Sequence, residues 1–128
     1  MDDEETKKII YVQTHGLDTP ERSATPFYLA AAGAAMDIEV GIYFTMNGAT
    51  LLRRGVPEQL IVPKAGGGGA PLRHFIDQAL SVGVRLFVCQ PSLDLHDLKM
   101  TDLIDGVEMI GGAAFNLMAL EADAVVAF

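Results

Sequence analysis

The sequence has no tryptophan, a single cysteine and few cations: nine Lys and Arg stand against 17 Asp and Glu, for a formal net charge of −8. Each shortage excludes something. One cysteine can neither close an intramolecular disulfide nor pair with a resolving thiol, so a self-contained dithiol reductase is ruled out. Cations so outnumbered do not track a phosphate backbone, and no nucleic acid is expected as a partner. There is no apolar run long enough to cross a bilayer and no signal-peptide pattern, so no membrane association is expected and the reducing cytoplasm is the expected location. His74 lacks a second His, Cys or carboxylate at metal-ligand spacing, reads as a surface residue, and leaves no metal site. Gly66-Gly67-Gly68-Gly69 runs on to Ala70-Pro71 and lacks the Gly-Lys-Ser/Thr ending of a nucleotide-binding loop. No cofactor is expected.

What is there suits one domain over residues 1–128, with residues 1–7 as a flexible, acidic lead-in. Half the residues are apolar. Mean hydropathy is positive, which suggests that another subunit covers some apolar surface. Five runs read as strands: 8–13, 38–44, 84–89, 107–110 and 123–128. The last has almost no polar face and is expected inside a parallel sheet. Helical signals fill the gaps. A helix ending near Met36 starts at Thr19-Pro20 or at Thr25-Pro26. A short helix is expected over 49–54 and short helical turns over 93–104. An amphipathic helix places Leu72, Phe75, Ile76, Ala79 and Leu80 on one stripe, and 113–120 forms a strongly apolar helix. Residues 55–70 read as a flexible connection. The alternation predicts an α/β fold, a three-layer α/β/α sandwich on a mainly parallel five-stranded sheet.

The stretch around which these elements are organised is 84–93, where an apolar run leads into Cys89 and Gln90-Pro91-Ser92 stops it. Gln90, preceding a proline, is expected to be extended and Pro91 to take the first helical position. Cys89 then lies at a strand-to-helix corner, and in open parallel sheets chemistry collects at such carboxyl ends. A free cysteine there is equally a small buried hydrophobe. Thr14-His15-Gly16 and Thr45-Met46-Asn47-Gly48 form two more corners of the same kind. If the three converge, Cys89 is the reactive group, and His15, Asn47, Gly48, Gln90 and Ser92 are the candidate substrate-binding residues. His15 would favour the thiolate by charge, and the Asn47-Gly48 turn would donate hydrogen bonds to an anionic adduct. Two other classes fit the residues: a hydrolase in which His15 or His96 serves Cys89 as base, though no acidic orienter can be singled out, and a non-enzymatic ligand-binding or assembly module with an incidental thiol.

Thr14-His15-Gly16 with Pro20-Glu21-Arg22, Phe44-Thr45 with Gly48 and Leu51-Leu52, Phe87-Val88-Cys89 with Ser92, and Leu103-Ile104-Asp105-Gly106-Val107 with Gly111-Gly112-Ala113 form an ordered set. Through it, nearly the whole chain resembles the DsrE/DsrF-like family of small sulfur-relay proteins. The resemblance implies an α/β/α domain that assembles into homotrimers or homohexamers. It also implies a sulfurtransferase-like carrier with sulfane sulfur on Cys89, held as a persulfide and exchanged with a TusA-like carrier or another thiol protein. The family includes members that lack the cysteine.

Overall fold

The structure, a computed structural model, describes residues 6–128; the expected lead-in over 1–7 lies almost wholly outside the described residues. Five strands form one sheet: β1 (Lys8–Gln13), β2 (Glu39–Phe44), β5 (Arg85–Cys89), β6 (Val107–Ile110) and β7 (Ala124–Ala127). Every pairing is parallel, in the order β6-β5-β2-β1-β7. This is the expected α/β architecture. β2 is buried from Val40 to Phe44 because both of its faces are covered: Val40, Ile42 and Phe44 face one layer, and Gly41 and Tyr43 the other.

The first layer is α1 (Thr25–Ala35) and α3 (Leu72–Ser81). Both starting signals of the first helix are used, since a 3-10 turn at Pro20–Arg22 precedes α1, which takes Pro26 in its first turn. Phe27 and Ala30 of α1 and Leu72, Ile76 and Ala79 of α3 are buried with Ile42, Phe44, Leu86 and Val88. The rings of Phe27 and Phe44 lie 5.6 Å apart. The stripe read in α3 is the buried one, with Phe75 and Leu80 half-buried on its flanks.

The second layer is a single helix, α5 (Gly112–Glu121). It links β6 at one sheet edge to β7 at the other, so it has to run obliquely across that face. Ile10, Tyr43, Phe87 and Cys89 are buried beneath it against Phe115 and Met118, with the Tyr43 and Phe115 ring centroids 4.2 Å apart.

Three expectations are corrected. β7 is not inside the sheet; it is an edge strand paired only with β1, and all four of its residues are exposed. With β2 on one side of β1, the return through α5 leaves the last strand only the outer side. The segment 55–70 is not an unstructured connection. It holds the short helix α2 (Val56–Gln59) and a hairpin of β3 (Ile61–Pro63) and β4, which extends to Pro71 from Gly69. Gly66 to Gly69 all take positive φ, so the glycine run closes a turn that residues with a Cβ rarely adopt. Finally, α4 (Gln90–Leu95) begins one residue early: Cys89 is the last extended residue, with φ −101° and ψ 148°, and Pro91 is second in the helix.

Candidate functional site

Cys89 ends β5 and immediately precedes α4, so one peptide bond separates a fixed strand from a fixed helix. Its side chain turns to the α5 face of the sheet and is only 6 % exposed. Burial alone would disfavour a thiolate. The polar neighbours act against it. Ser92, three residues on and itself buried, sets its Oγ 2.8 Å from Sγ. Thr45, just beyond the end of β2, sets its Oγ1 3.4 Å from Sγ and 3.3 Å from the Ser92 Oγ. It arrives there because β2 and β5 are neighbours and Phe44 pairs with Val88, which brings the residue after β2 level with Cys89.

The direction of these bonds is partly fixed. The Met46 backbone N–H, which can only donate, lies 2.6 Å from the Ser92 Oγ. That occupies a lone pair and leaves the serine proton free for the sulfur, at 2.8 Å, or the more distant Thr45 oxygen, at 3.3 Å. Burial is the largest influence on Cys89 and pushes the thiol up, but the Ser92 and Thr45 hydroxyls, then the Ser92 amide and the Tyr43 phenol, outweigh it and leave the thiol below its ordinary value. Tyr43 is pushed up, by burial first and then by its hydrogen bond to Cys89 and the charge there, so it stays protonated and can donate. The site is a buried sulfur facing neutral hydroxyl donors, with no cation among its partners.

The corners named from the sequence meet in a row. Gln13 O accepts from Thr45 N–H at 3.0 Å and Leu17 N–H donates to the Thr50 Oγ1 at 3.1 Å, which ties the β1 corner to the β2 corner, and Ser92 ties the β2 corner to β5. Among the candidate side chains, however, only Ser92 contacts Cys89. His15 Nε2 lies 3.1 Å from Nη1 of Arg22. Asn47 is exposed, with its backbone carbonyl accepting from the Thr50 hydroxyl. Gly48 is buried against Gln13, where a Cβ would sit 2.2 Å from the Gln13 carbonyl oxygen. The exposed Gln90 donates to Asp94 at 2.9 Å. Thr45 and Tyr43 were missed. Thr45 is in the corner that the sequence singles out, and its signal was a hydroxyl directly after a strand; what was missing was the knowledge that β2 borders β5.

His96, the other base considered for a hydrolase, has its Nε2 3.1 Å from the Met46 carbonyl oxygen. Neither histidine is a hydrogen-bond partner of Cys89. Among the described residues no cluster of three or more His, Cys, Asp and Glu is arranged to hold a metal ion, and no helix is long and apolar enough to cross a membrane. A hollow of about 280 Å³ lies near the amino ends of the strands, lined by Lys8, Glu39, Arg85 and Glu121 among others, and another of about 400 Å³ lies beside α4, lined by Gln90, Leu93 and Asp94 among others; neither is lined by Cys89.

Comparison with known proteins agrees with this fold. The sulfur carrier protein DsrE2 of Allochromatium vinosum is 27 % identical, over 93 % of this chain and 96 % of its own length. An uncharacterized protein of Methanocaldococcus jannaschii is 24 % identical over 84 % of this chain, which spans 38 % of that longer protein. Among solved structures, the ychN protein of E. coli shares the fold with a TM-score of 0.75 at 20 % identity, over 96 % of this chain and 99 % of that one. A protein of unknown function from Methanobacterium thermoautotrophicum gives 0.65 at 13 % identity, over 95 % and 99 %. The DsrE/DsrF-like family model matches residues 7–128, and with the parallel sheet and the cysteine corner in place, the chain belongs to the DsrE/DsrF-like family.

Proposed function

We propose that this protein is a cytoplasmic sulfur carrier that holds sulfane sulfur on Cys89 and hands it to a thiol on another protein, such as a TusA-like carrier. The observation that carries this reading is a sole thiol, buried at a strand-to-helix corner, whose hydroxyl partners favour the thiolate. A thiolate is both the nucleophile and the holder of the cargo. The likeness to a named sulfur carrier over almost the full length supports it.

The chemistry balances without an added oxidant. The Cys89 thiolate attacks the outer sulfur of thiosulfate; the S–S bond breaks, sulfite leaves with the electron pair, and a cysteine persulfide anion remains. With tetrathionate the same attack expels thiosulfate and leaves a thiosulfonate adduct. In the handover, a partner thiolate attacks the outer sulfur of the protonated persulfide and Cys89 leaves as thiolate. Because the chain has no second cysteine, that thiol has to come from another molecule. A hydrolase is disfavoured, since the base it needs is not at the sulfur. Mass spectrometry of the native protein after incubation with polysulfide, thiosulfate or tetrathionate tests the reading; no added mass on Cys89 with any of the three donors refutes it.

Ser92 should matter most among the neighbours. Ser92→Ala removes a hydrogen bond to a charged group, and alkylation of Cys89 at neutral pH is expected to slow roughly tenfold. Thr45→Ala, at the longer distance, should slow it less. The pH profile of alkylation should move upward in both, and equal profiles in wild type and Ser92→Ala would sink the account of the thiol.

A homotrimer or homohexamer is part of the proposal. α5 leaves Leu117 and Leu120 61 % and 82 % exposed, and Val125 and Val126 stand exposed on the edge strand β7. Apolar side chains left exposed on a helix and on an edge strand are surface that a neighbouring subunit can cover, and small homo-oligomers adopt closed symmetry. Sedimentation at micromolar concentration should give three or six chains; a monomer there removes this part of the proposal.

A further inference from the structure

Met46 is a non-glycine residue with φ +54°, a left-handed backbone that an unbranched side chain seldom adopts without something to hold it. Its side chain is 59 % exposed, so packing is not what holds it. Apart from the turn closed by Gly48 N–H and the Thr45 carbonyl at 2.9 Å, its two backbone poles are held from one place. Ser92 Oγ accepts from the Met46 N–H at 2.6 Å, and His96 Nε2 lies 3.1 Å from the Met46 carbonyl. A carbonyl only accepts, so the ring proton has to be on Nε2. Ser92 and His96 are four residues apart and so share one face of the turn formed by α4 and its end. The backbone N–H of His96 bonds to the carbonyls of Ser92 and Leu93 at 3.3 and 3.2 Å, which anchors the imidazole to the element that begins at Cys89.

We propose that His96 is a positioning residue for the Cys89 thiolate. Its Nε2–H holds the Met46 carbonyl and keeps the strained residue in place. Met46 in turn presents its N–H to Ser92 and so aims the serine proton at the sulfur. The inference rests on Cys89 being a working thiolate, as proposed above. It gives His96 a role quite different from that of a base: it acts three hydrogen bonds away from the sulfur, through Met46 and Ser92, and takes no proton. Without it, Met46 can relax towards negative φ, the N–H turns away, and the Ser92 hydroxyl is free to rotate off the sulfur.

The test is the rate of alkylation of the native full-length protein by iodoacetamide across pH, for wild type, His96→Ala and His96→Gln. Gln carries an N–H donor at about the reach of the imidazole Nε2. His96→Ala is expected to alkylate about three- to tenfold more slowly at neutral pH, yet at the wild-type rate at alkaline pH, where the thiolate is fully formed. His96→Gln should return to within about twofold of wild type, since a single neutral hydrogen bond is being restored. A merely structural role would change the rate at every pH and would not be rescued by one donor. A His96→Ala profile that superimposes on wild type, or a His96→Gln profile displaced as far as that of His96→Ala, overturns the proposal. Sulfur loading by mass spectrometry separates it from the carrier reading. Loading with an undisplaced His96→Ala profile refutes the positioning role alone. A displaced profile in a protein that takes up no sulfur refutes the carrier alone.

Discussion

Cys89→Ser protein takes up no sulfur from polysulfide, thiosulfate or tetrathionate, while wild type gains the mass of the adduct on one residue. The expected loss is complete, because the only thiol in the sequence is removed and a serine hydroxyl is not ionised at neutral pH. The fold should survive. Cys89 is the last residue of β5, its backbone pairs with β6 opposite Ile110, and the exchange of sulfur for oxygen is close to isosteric. The new hydroxyl faces the Ser92 and Thr45 hydroxyls at positions where a small polar group can bond. Circular dichroism and sedimentation should therefore match wild type. Undiminished loading would place the cargo elsewhere and reject the mechanism; a lost fold would show that the sulfur serves packing.

Gly48→Ala is expected to destabilise the protein by about 3 kcal/mol, at the upper end of the ordinary cost of overpacking. A Cβ built on Gly48 falls 2.2 Å from the carbonyl oxygen of Gln13 and 3.0 Å from its carbon. These are backbone atoms at the end of a central strand, so they cannot rotate aside. The same carbonyl accepts the Thr45 N–H at 3.0 Å, and any retreat that makes room for the methyl group pulls on that bond. Urea denaturation should show a lower midpoint with an unchanged slope. Since the strain falls on the turn that carries Thr45 and Met46, Cys89 should also alkylate more slowly at neutral pH in the folded variant. A midpoint equal to that of wild type would show that the close approach yields cheaply. The sequence marks Gly48 as part of a donor turn to an adduct; the packing gives it a separate reason to be glycine.

Residue by residue, the sequence was readable where neighbours in the chain decide the outcome. Apolar runs ended by turn residues marked the five strands of the sheet, and the three-and-four spacing from Leu72 to Leu80 marked the buried stripe of α3, because the buried side of a helix is set by its own periodicity. The corner at Cys89 was equally local: a strand ending before Gln-Pro-Ser leaves little else for the chain to do, and Ser92, three residues on, was within reach of the sulfur by helix geometry alone. Contacts between distant segments were out of reach. That Thr45, rather than Asn47 or His15, borders the sulfur depends on β2 lying next to β5, and strand order is an outcome of how whole layers bury their faces. The exposure of β7 has the same origin: its composition fits an interior strand, but β1 had only its outer side left. The strained φ of Met46 and the hold of His96 on it are likewise invisible in the chain, since they exist only once α4 has docked against the turn after β2. The sequence alone determined the strands of the main sheet, the parallel α/β class and the position of the single thiol at a strand end; the tertiary structure alone decided which hydroxyls surround that thiol, because hydrogen-bond partners from separate strands are chosen by packing.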